Sequence, residues 1–487
     1  MHFPVPLEVR TVTESLREAG FAAYLVGGCV RDLLIGRAPK DWDVTTDATP
    51  EDIQRLFPDS FYENEFGTVG VKTGSEDAIL AIVEVTPYRT ESAYTDKRRP
   101  DAVAFGTSLE EDLARRDFTI NAIALDESKG QIVDPYQGQS DLQHKVLRTV
   151  RDAEERFEED ALRLMRAVRL VAELGFALDS DTAAAIKAKA ANLQHVSRER
   201  IRDEFVRILM SNQPMNALVL AQQLDILVHI APDLTRGIGI DQNQAHSYDV
   251  FGHLMRALQH AADKGWDFDT RLAALFHDVS KPETRRWSEE KKDWTFHGHE
   301  VVGARTTKRA LEDLRFSRET IEKVTKLVRW HMFFSDPEQI TLSAVRRMIR
   351  NVGPENIDDL LNLRICDRIG TGRPKEQPFR FRKYKAMVDE ALRDPISVGM
   401  LKTDGNRIME KFHVKPGPRL GHMLNALLEE VLDDPSKNSE DYLDEKTSKM
   451  LAISDDELQK LGEGGRKRRE AEEEREIKEI LNKHNVS

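Results

Sequence analysis

The sequence predicts an α+β chain in which a mixed strand-and-helix first third gives way to helices. Two observations carry that expectation. Up to about residue 150, short apolar runs are punctuated by Gly, Pro and Asp; from about residue 155, apolar residues recur at helical spacing, as in Ala161, Leu162, Met165, Val168 and Ala172. With 487 residues the chain is too long for one hydrophobic core, so several domains are expected.

The elements follow in order. Residues 7–19 suit a helix stopped by Gly20, residues 22–26 a short buried strand, Gly27-Gly28 a turn, and residues 29–35 a helix stopped by Gly36. Strands are expected at residues 42–46, 68–72, 79–85 and 120–125. Amphipathic helices then run to about residue 430. Beyond Asp433 the chain becomes strongly charged, and Gly462, Gly464 and Gly465 interrupt it before Arg466-Lys467-Arg468-Arg469. This end reads as a loosely attached helix or partly disordered segment, with an RNA-binding tail as the second reading.

Composition excludes several classes. Hydrophobic residues make up 40% and charged residues 32%, and no apolar run approaches the roughly 18 residues that a membrane span needs. The first residues show neither a basic nor an apolar signal region, so a cytoplasmic protein is expected. Cys29 and Cys366 are the only cysteines, too few for a disulfide framework or a cysteine-rich zinc site. A net charge of −13 argues against coating nucleic acid by bulk electrostatics. Contact with RNA must therefore be local, and arginine is concentrated at residues 115–116, 148–169 and 198–207.

Asp41-Trp42-Asp43 falls on an expected strand, where residues two apart share a face, so the carboxylates converge while Trp42 turns away. Adjacent carboxylates repel unless cations neutralise them, and Mg²⁺ with carboxylate and phosphate oxygens is the natural solution. An isolated Asp-x-Asp is usually a turn or surface feature. Upstream, however, Leu25-Val26-Gly27-Gly28-Cys29-Val30-Arg31-Asp32 reads as strand, turn and helix start, which offers backbone N–H groups and Arg31 to a triphosphate. Glu84, an acid in the apolar run Ile82-Val83-Glu84-Val85, is either a third catalytic carboxylate or a paired edge residue.

These motifs, with the block from Glu111 through Arg115-Arg116-Asp117-Phe118-Thr119-Ile120-Asn121, then Asp134-Pro135-Tyr136, then residues 159–169, resemble in order and spacing class II tRNA nucleotidyltransferases and the related bacterial poly(A) polymerases. The resemblance spans about residues 20–250. It implies a polymerase-β-like nucleotidyltransferase head at 1–150 and a helical neck and body at 151–240. It further implies Mg²⁺ on Asp41 and Asp43, and a nucleotide site of Gly27, Gly28, Arg31, Arg115, Arg116, Asp117, Asn121, Asp160, Arg163, Arg166 and Arg169. The implied reaction is attack of an RNA 3′-hydroxyl on the α-phosphate of CTP or ATP, with pyrophosphate leaving and the tRNA 3′ end as acceptor. Residues 89–100 resemble the flexible loop that CCA- and A-adding enzymes keep.

Asp160 and Arg163, three apart on an expected helix, are adjacent on its surface. A carboxylate accepts and a guanidinium donates, so together they suit a base edge with an amine beside a ring-nitrogen acceptor. Cytosine and adenine present that edge; guanine and uracil present its reverse.

A second pattern lies downstream. His253, then Ala274-Leu275-Phe276-His277-Asp278-Val279-Ser280-Lys281, then Asp367 resemble HD-superfamily metal-dependent phosphohydrolases, with serine at 280 where glycine is common. The resemblance implies a divalent metal (Mg²⁺, Mn²⁺ or Ni²⁺) on His253, His277, Asp278 and Asp367 within an HD domain at 241–375, followed by a helical tail at 376–487. His297, His299 and His331 either complete a second metal, bind phosphate or are structural. Three readings stay open at this point: CCA addition to tRNA, poly(A) or A-only addition, and an HD phosphohydrolase with a nucleotide-sensing head.

Overall fold

The computed structural model describes residues 3–62, 67–90, 104–105, 108–244, 246–333, 338 and 340–463. The chain divides into two compact units, Met1–Ile230 and Ala231–Ser487.

The first unit is built on a seven-stranded sheet. Its strands are β1 (Ala23–Val26), β2 (Asp43–Thr46), β3 (Ser60–Tyr62), β4 (Val69–Lys72), β5 (Ile82–Pro87), β6 (Ala124–Asp126) and β7 (Gln131–Val133), in the spatial order β3-β4-β5-β2-β1-β6-β7. Only the β2–β5 pair is parallel. β-Branched residues favour these strands, and Leu25, Val44, Val71, Val83 and Val85 are buried. Helix α1 (Leu7–Glu18) buries Val9, Val12 and Leu16. Helix α2 (Gly28–Leu34) follows β1 directly through Gly27, whose φ of +76° is a conformation that favours glycine. Helix α3 (Leu109–Ala114) is followed by α4 (Ala153–Glu159), α5 (Leu162–Leu174) and α6 (Arg198–Met210).

Two expectations change here. The strand expected at 120–125 is a 3₁₀ turn at Thr119–Asn121 followed by the short strand β6. The side chain of Asn121 is held there by polar partners, and the backbone turns to present it. The helix expected to run through 160 is broken: Asp160 is extended (φ −144°, ψ 102°) between α4 and α5, and its Oδ1 accepts from the Leu162 N–H at 3.0 Å, satisfying a donor in the first turn of α5.

The second unit is helical apart from the hairpin Arg286–Ser288 with Asp293–Thr295. Helix Val250–Asp263 packs on Ile357–Gly370 and on Phe268–Phe276. The charged stretch after Asp433 includes the helices Glu440–Met450 and Asp455–Glu463. Leu443, Met450 and Leu458 are buried there, so a sparse apolar stripe suffices to dock charged helices. The basic run 466–469 lies outside the described residues, as does most of the loop expected at 89–100. Among the described residues, no helix is long and apolar enough to cross a membrane.

Candidate functional site

Strand register assembles the first site. Asp43 pairs with Val26 on one side and with Glu84 on the other, so Asp43 and Glu84 are neighbours on one face of the sheet. Trp42 turns into the core, as the strand period requires. Asp41 precedes β2. A Cβ on Gly28 would lie 3.6 Å from Asp41 Oδ1; one on Gly27 would lie 3.1 Å from Asp43 Oδ2 and 3.2 Å from Arg116 Nη1. The diglycine therefore lets backbone, carboxylates and a guanidinium crowd together, and an all-oxygen donor set fits a hard cation such as Mg²⁺. Asp41, Asp43 and Glu84 are not drawn within 4.8 Å of one another, unlike the groups of the second unit described below.

Two arginines share one buried acid. Asp112 Oδ1 accepts from Arg115 Nε at 2.9 Å and Nη2 at 2.5 Å, and Oδ2 from Arg116 Nη2 at 3.1 Å. Burial pushes the Asp112 pKa up, but the two guanidiniums prevail and hold it below the usual carboxylate range. A second chain of bonds runs from the turn to the helices. Arg31 Nη1 donates to Asn121 Oδ1 at 3.0 Å, Asn121 Nδ2 to Asp117 Oδ1 at 3.1 Å, and Arg166 Nε to Asp117 Oδ2 at 2.8 Å.

A cleft of about 320 Å³ brings Asp43, Arg115, Arg116, Asp117, Asp160, Arg163 and Arg166 together, along with Arg89 and Arg200. Asp160 and Arg163 both face it but do not pair. Asp160 Oδ2 is taken by Arg200 at 2.7 Å; Arg163 Nη1 donates to Glu159 at 2.6 Å and its Nη2 to the Arg115 carbonyl at 3.0 Å. Arg169 stands apart from the cleft lining, buried and bonded to Glu204 and Glu173 between α5 and α6. Sequence reasoning passed over Arg200 as one of a run of arginines and Arg89 as the start of a loop.

The second unit holds the other site. His253 lies on Val250–Asp263, His277 caps Phe268–Phe276, Asp278 follows it, and Asp367 lies on Ile357–Gly370. One potential ligand atom from each of these four lies within 4.8 Å of the others; the same is true of Asp278, His299 and His331. Asp278 is common to both groups. Its Oδ2 is 3.0 Å from His253 Nε2, while its Oδ1 is 3.1 Å from His299 Nε2. Nδ1 of His277, His299 and His331 sits 2.9, 2.6 and 2.7 Å from the carbonyls of Ala274, Phe296 and Val328. A carbonyl only accepts, so each Nδ1 carries a proton and each Nε2 is turned inward, the orientation a metal ligand needs. Both oxygens of Asp278 are closed off from solvent, and Lys281 Nζ lies 2.5 Å from Oδ2, so a metal there would share the carboxylate with that ammonium. Gly370 permits the close helix approach, since a Cβ there would lie 2.9 Å from His253 Nδ1. His297 is exposed and belongs to neither group.

Over residues 23–148 the chain matches the family described as Poly A polymerase head domain, over 175–238 that described as Probable RNA and SrmB- binding site of polymerase A, and over 250–369 the HD domain. A CCA-adding enzyme of Lactobacillus helveticus (strain DPC 4571) is 33% identical over 444 residues, covering 90% of this chain and 96% of that one. The chain belongs to the CCA-adding enzyme family. Another CCA-adding enzyme, from Geobacillus kaustophilus (strain HTA426), is 44% identical over 225 residues, 45% of this chain and 53% of that one. The crystal structure of the Bacillus stearothermophilus CCA-adding enzyme in complex with CTP shares 26% identity and superposes with a TM-score of 0.63 over 92% of this chain and 99% of that one. That of the Thermotoga maritima CCA-adding enzyme complexed with tRNA shares the fold, at 19% identity and a TM-score of 0.54 over 91% and 94% of the two chains. CCA-adding enzymes are nucleotidyltransferases, and a polymerase-type head followed by helices that include an HD domain is the architecture this member shares with them.

Proposed function

We propose that the chain builds the CCA end of tRNA from CTP and ATP, without a nucleic-acid template, in its first unit. The observation that carries this reading is the single cleft in which Asp43 faces Arg115 and Arg116 on one hand and Asp160 and Arg163 on the other. Asp41 and Asp43, with Glu84 as the third carboxylate, would hold Mg²⁺, which when bound lowers the pKa of the attacking 3′-hydroxyl and steadies the leaving pyrophosphate. Arg115 and Arg116, anchored on Asp112, neutralise charge that develops on the phosphates. Arg31, fixed through Asn121 and Asp117 to Arg166, ties the diglycine turn to the helices that carry Asp160 and Arg163. Asp160 accepts from the exocyclic amine of cytosine or adenine and Arg163 donates to the adjacent ring nitrogen, each exchanging its present partner for the base.

In this proposal residues 1–150 form the head, 151–240 the neck and body, 241–375 the HD domain and 376–487 the tail, and the protein works in the cytoplasm, where buried free thiols such as Cys29 and Cys366 persist. The test supplies purified protein with tRNA lacking its CCA, and CTP and ATP singly and together, then sequences the product ends. CC with CTP alone and CCA with both supports the reading; a run of A with ATP alone assigns poly(A) synthesis instead.

One observation favours a second activity. A cleft of about 1110 Å³ opens onto Asp278, His299 and Asp367 and is lined by Lys281, Lys291, Arg364, Arg368, Arg373 and Arg380. Cations around a metal-ligand cluster suit an anionic phosphoester, so we assign the second unit a metal-dependent phosphohydrolase role. Release of phosphate from a phosphoester that stops in the His277→Ala variant tests it.

A further inference from the structure

Arg89, immediately after β5, lines the 320 Å³ cleft together with Thr86, Arg115 and Arg116. Its Nη2 donates to Thr68 Oγ1 at 2.7 Å, and that hydroxyl lies 3.2 Å from Thr86 Oγ1. The Arg89 Nε–H is closed off from solvent and has no hydrogen-bond partner among the described residues. Asp112, the one acid among the described residues that acts appreciably on Arg89, is already divided between Arg115 and Arg116. Burial, and then the neighbouring Arg115, pull the Arg89 pKa down to about 10.

A half-buried guanidinium with a neutral hydroxyl as partner and an idle, enclosed N–H is a net cost to the folded chain. Anchoring Thr68 does not require a charge, because a neutral amide would do it. The arrangement makes sense if an anion completes it, and the cleft already gathers six arginines, Arg89, Arg115, Arg116, Arg163, Arg166 and Arg200, against Asp43, Asp117 and Asp160. Of these acids, Asp117 and Asp160 are committed to Arg166 and Arg200. Base edges offer single neutral acceptors, whereas a polyphosphate offers several charged oxygens to a guanidinium fork.

We propose that Arg89 is a substrate-binding residue that grips the triphosphate of the incoming nucleotide, its guanidinium donating to a phosphate oxygen. The proposal rests on the nucleotidyl-transfer reading of this cleft and adds to it a residue and a part of the substrate. Equilibrium binding to the full chain, with Mg²⁺, is measured for CTP, CMP and inorganic tripolyphosphate in wild type, Arg89→Lys and Arg89→Met. Thermal midpoints are recorded without ligand. Loss of one charge-assisted contact should weaken CTP and tripolyphosphate about tenfold or more in Arg89→Met, with Arg89→Lys intermediate and CMP unchanged. The unliganded midpoint of Arg89→Met should hold or rise, because the change removes a half-buried charge without an acidic partner of its own among the described residues. Equal losses for CTP and CMP, or a lowered midpoint with CTP affinity intact, would overturn the proposal and make Arg89 a tether for Thr68. Wild type that binds tripolyphosphate but neither CTP nor CMP would instead overturn the nucleotide reading of the cleft.

Discussion

Arg166 meets Asp117 through two nitrogens, Nε at 2.8 Å and Nη2 at 2.6 Å, both on Oδ2, while Oδ1 receives the Phe118 N–H and Asn121 Nδ2. Four donors thus satisfy one buried carboxylate. Burial pushes the Asp117 pKa up, but Arg166 and Asn121 prevail and hold it well below the carboxylate range. Arg166→Ala should destabilise the first unit by about 3 kcal/mol at pH 7, the low end for breaking a buried pair, because the Arg166 side chain keeps 35% exposure and solvent screens it. A carboxylate whose folded pKa is depressed stabilises fully above its unfolded value of about 3.9 and loses that contribution as pH falls below it. Urea melts at pH 7 and pH 3 should therefore show the gap between wild type and variant shrinking at pH 3. A gap of equal size at both pH values would place the loss elsewhere.

Asp43→Ala and Asp41→Ala should each lower nucleotide addition by about 10³-fold or more, since several kcal/mol of charge stabilisation vanish with one ligand. Thermal midpoints should stay close to wild type if the two acids serve the metal rather than the fold. A folded variant that keeps more than about a tenth of wild-type transfer contradicts the assignment.

Base choice should depend on Asp160, with a complication that the structure introduces. Asp160→Ala removes the carboxylate that penalises uracil and guanine, so the ratio of kcat/KM for CTP over UTP should fall about tenfold to hundredfold. The same change deletes the bond to the Leu162 N–H and should cost about 1 kcal/mol of stability. Arg200→Ala frees Asp160 from its present partner and should leave the CTP to UTP ratio high. If that ratio is unchanged in Asp160→Ala and in Arg163→Ala, the cleft does not read the base here.

Metal content should separate the two groups of the second unit. Asp278→Ala, which strips the shared ligand, should lose all divalent metal from this unit, whereas His331→Ala should lose only that held with His299. Elemental analysis of protein dialysed against Mn²⁺ reads this directly. Both variants should still extend tRNA when Mg²⁺ is supplied, and loss of extension from a folded Asp278→Ala protein would tie the site to the transfer reaction.

How much of this was legible in the sequence depended on whether one strand or helix held the answer. Asp43 beside Glu84 follows from two strands whose periods are plain, and the parallel β2–β5 pairing supplies the register. The HD ligands were visible because His277 and Asp278 sit in an apolar run. Asp160 was misplaced on a helix because Glu159-Asp160-Ala161-Leu162 contains no Gly or Pro to mark the break; the cause is a capping bond and a tertiary partner, Arg200, forty residues away. Arg169 shares its helix face with Arg166 by spacing, yet Glu204 on α6 captures it. Arg89 was obscured by a loop that hid its origin at the end of the Glu84 strand, where an odd polar run, Thr86-Pro87-Tyr88-Arg89, was the available signal.

The position of Asp278 between two sets of imidazoles has a consequence for how the second unit fills. One carboxylate lends Oδ2 to His253 and His277 and Oδ1 to His299 and His331. The first cation to arrive would share that carboxylate with the Lys281 ammonium, 2.5 Å from Oδ2, and the next would meet a ligand already neutralised and a like charge beside it. Occupancy by metal would then rise in two unequal steps, with a tightly kept ion and an exchangeable one. The fraction of molecules carrying both ions would then track the free concentration of metal around the protein, and the second unit would respond to supply.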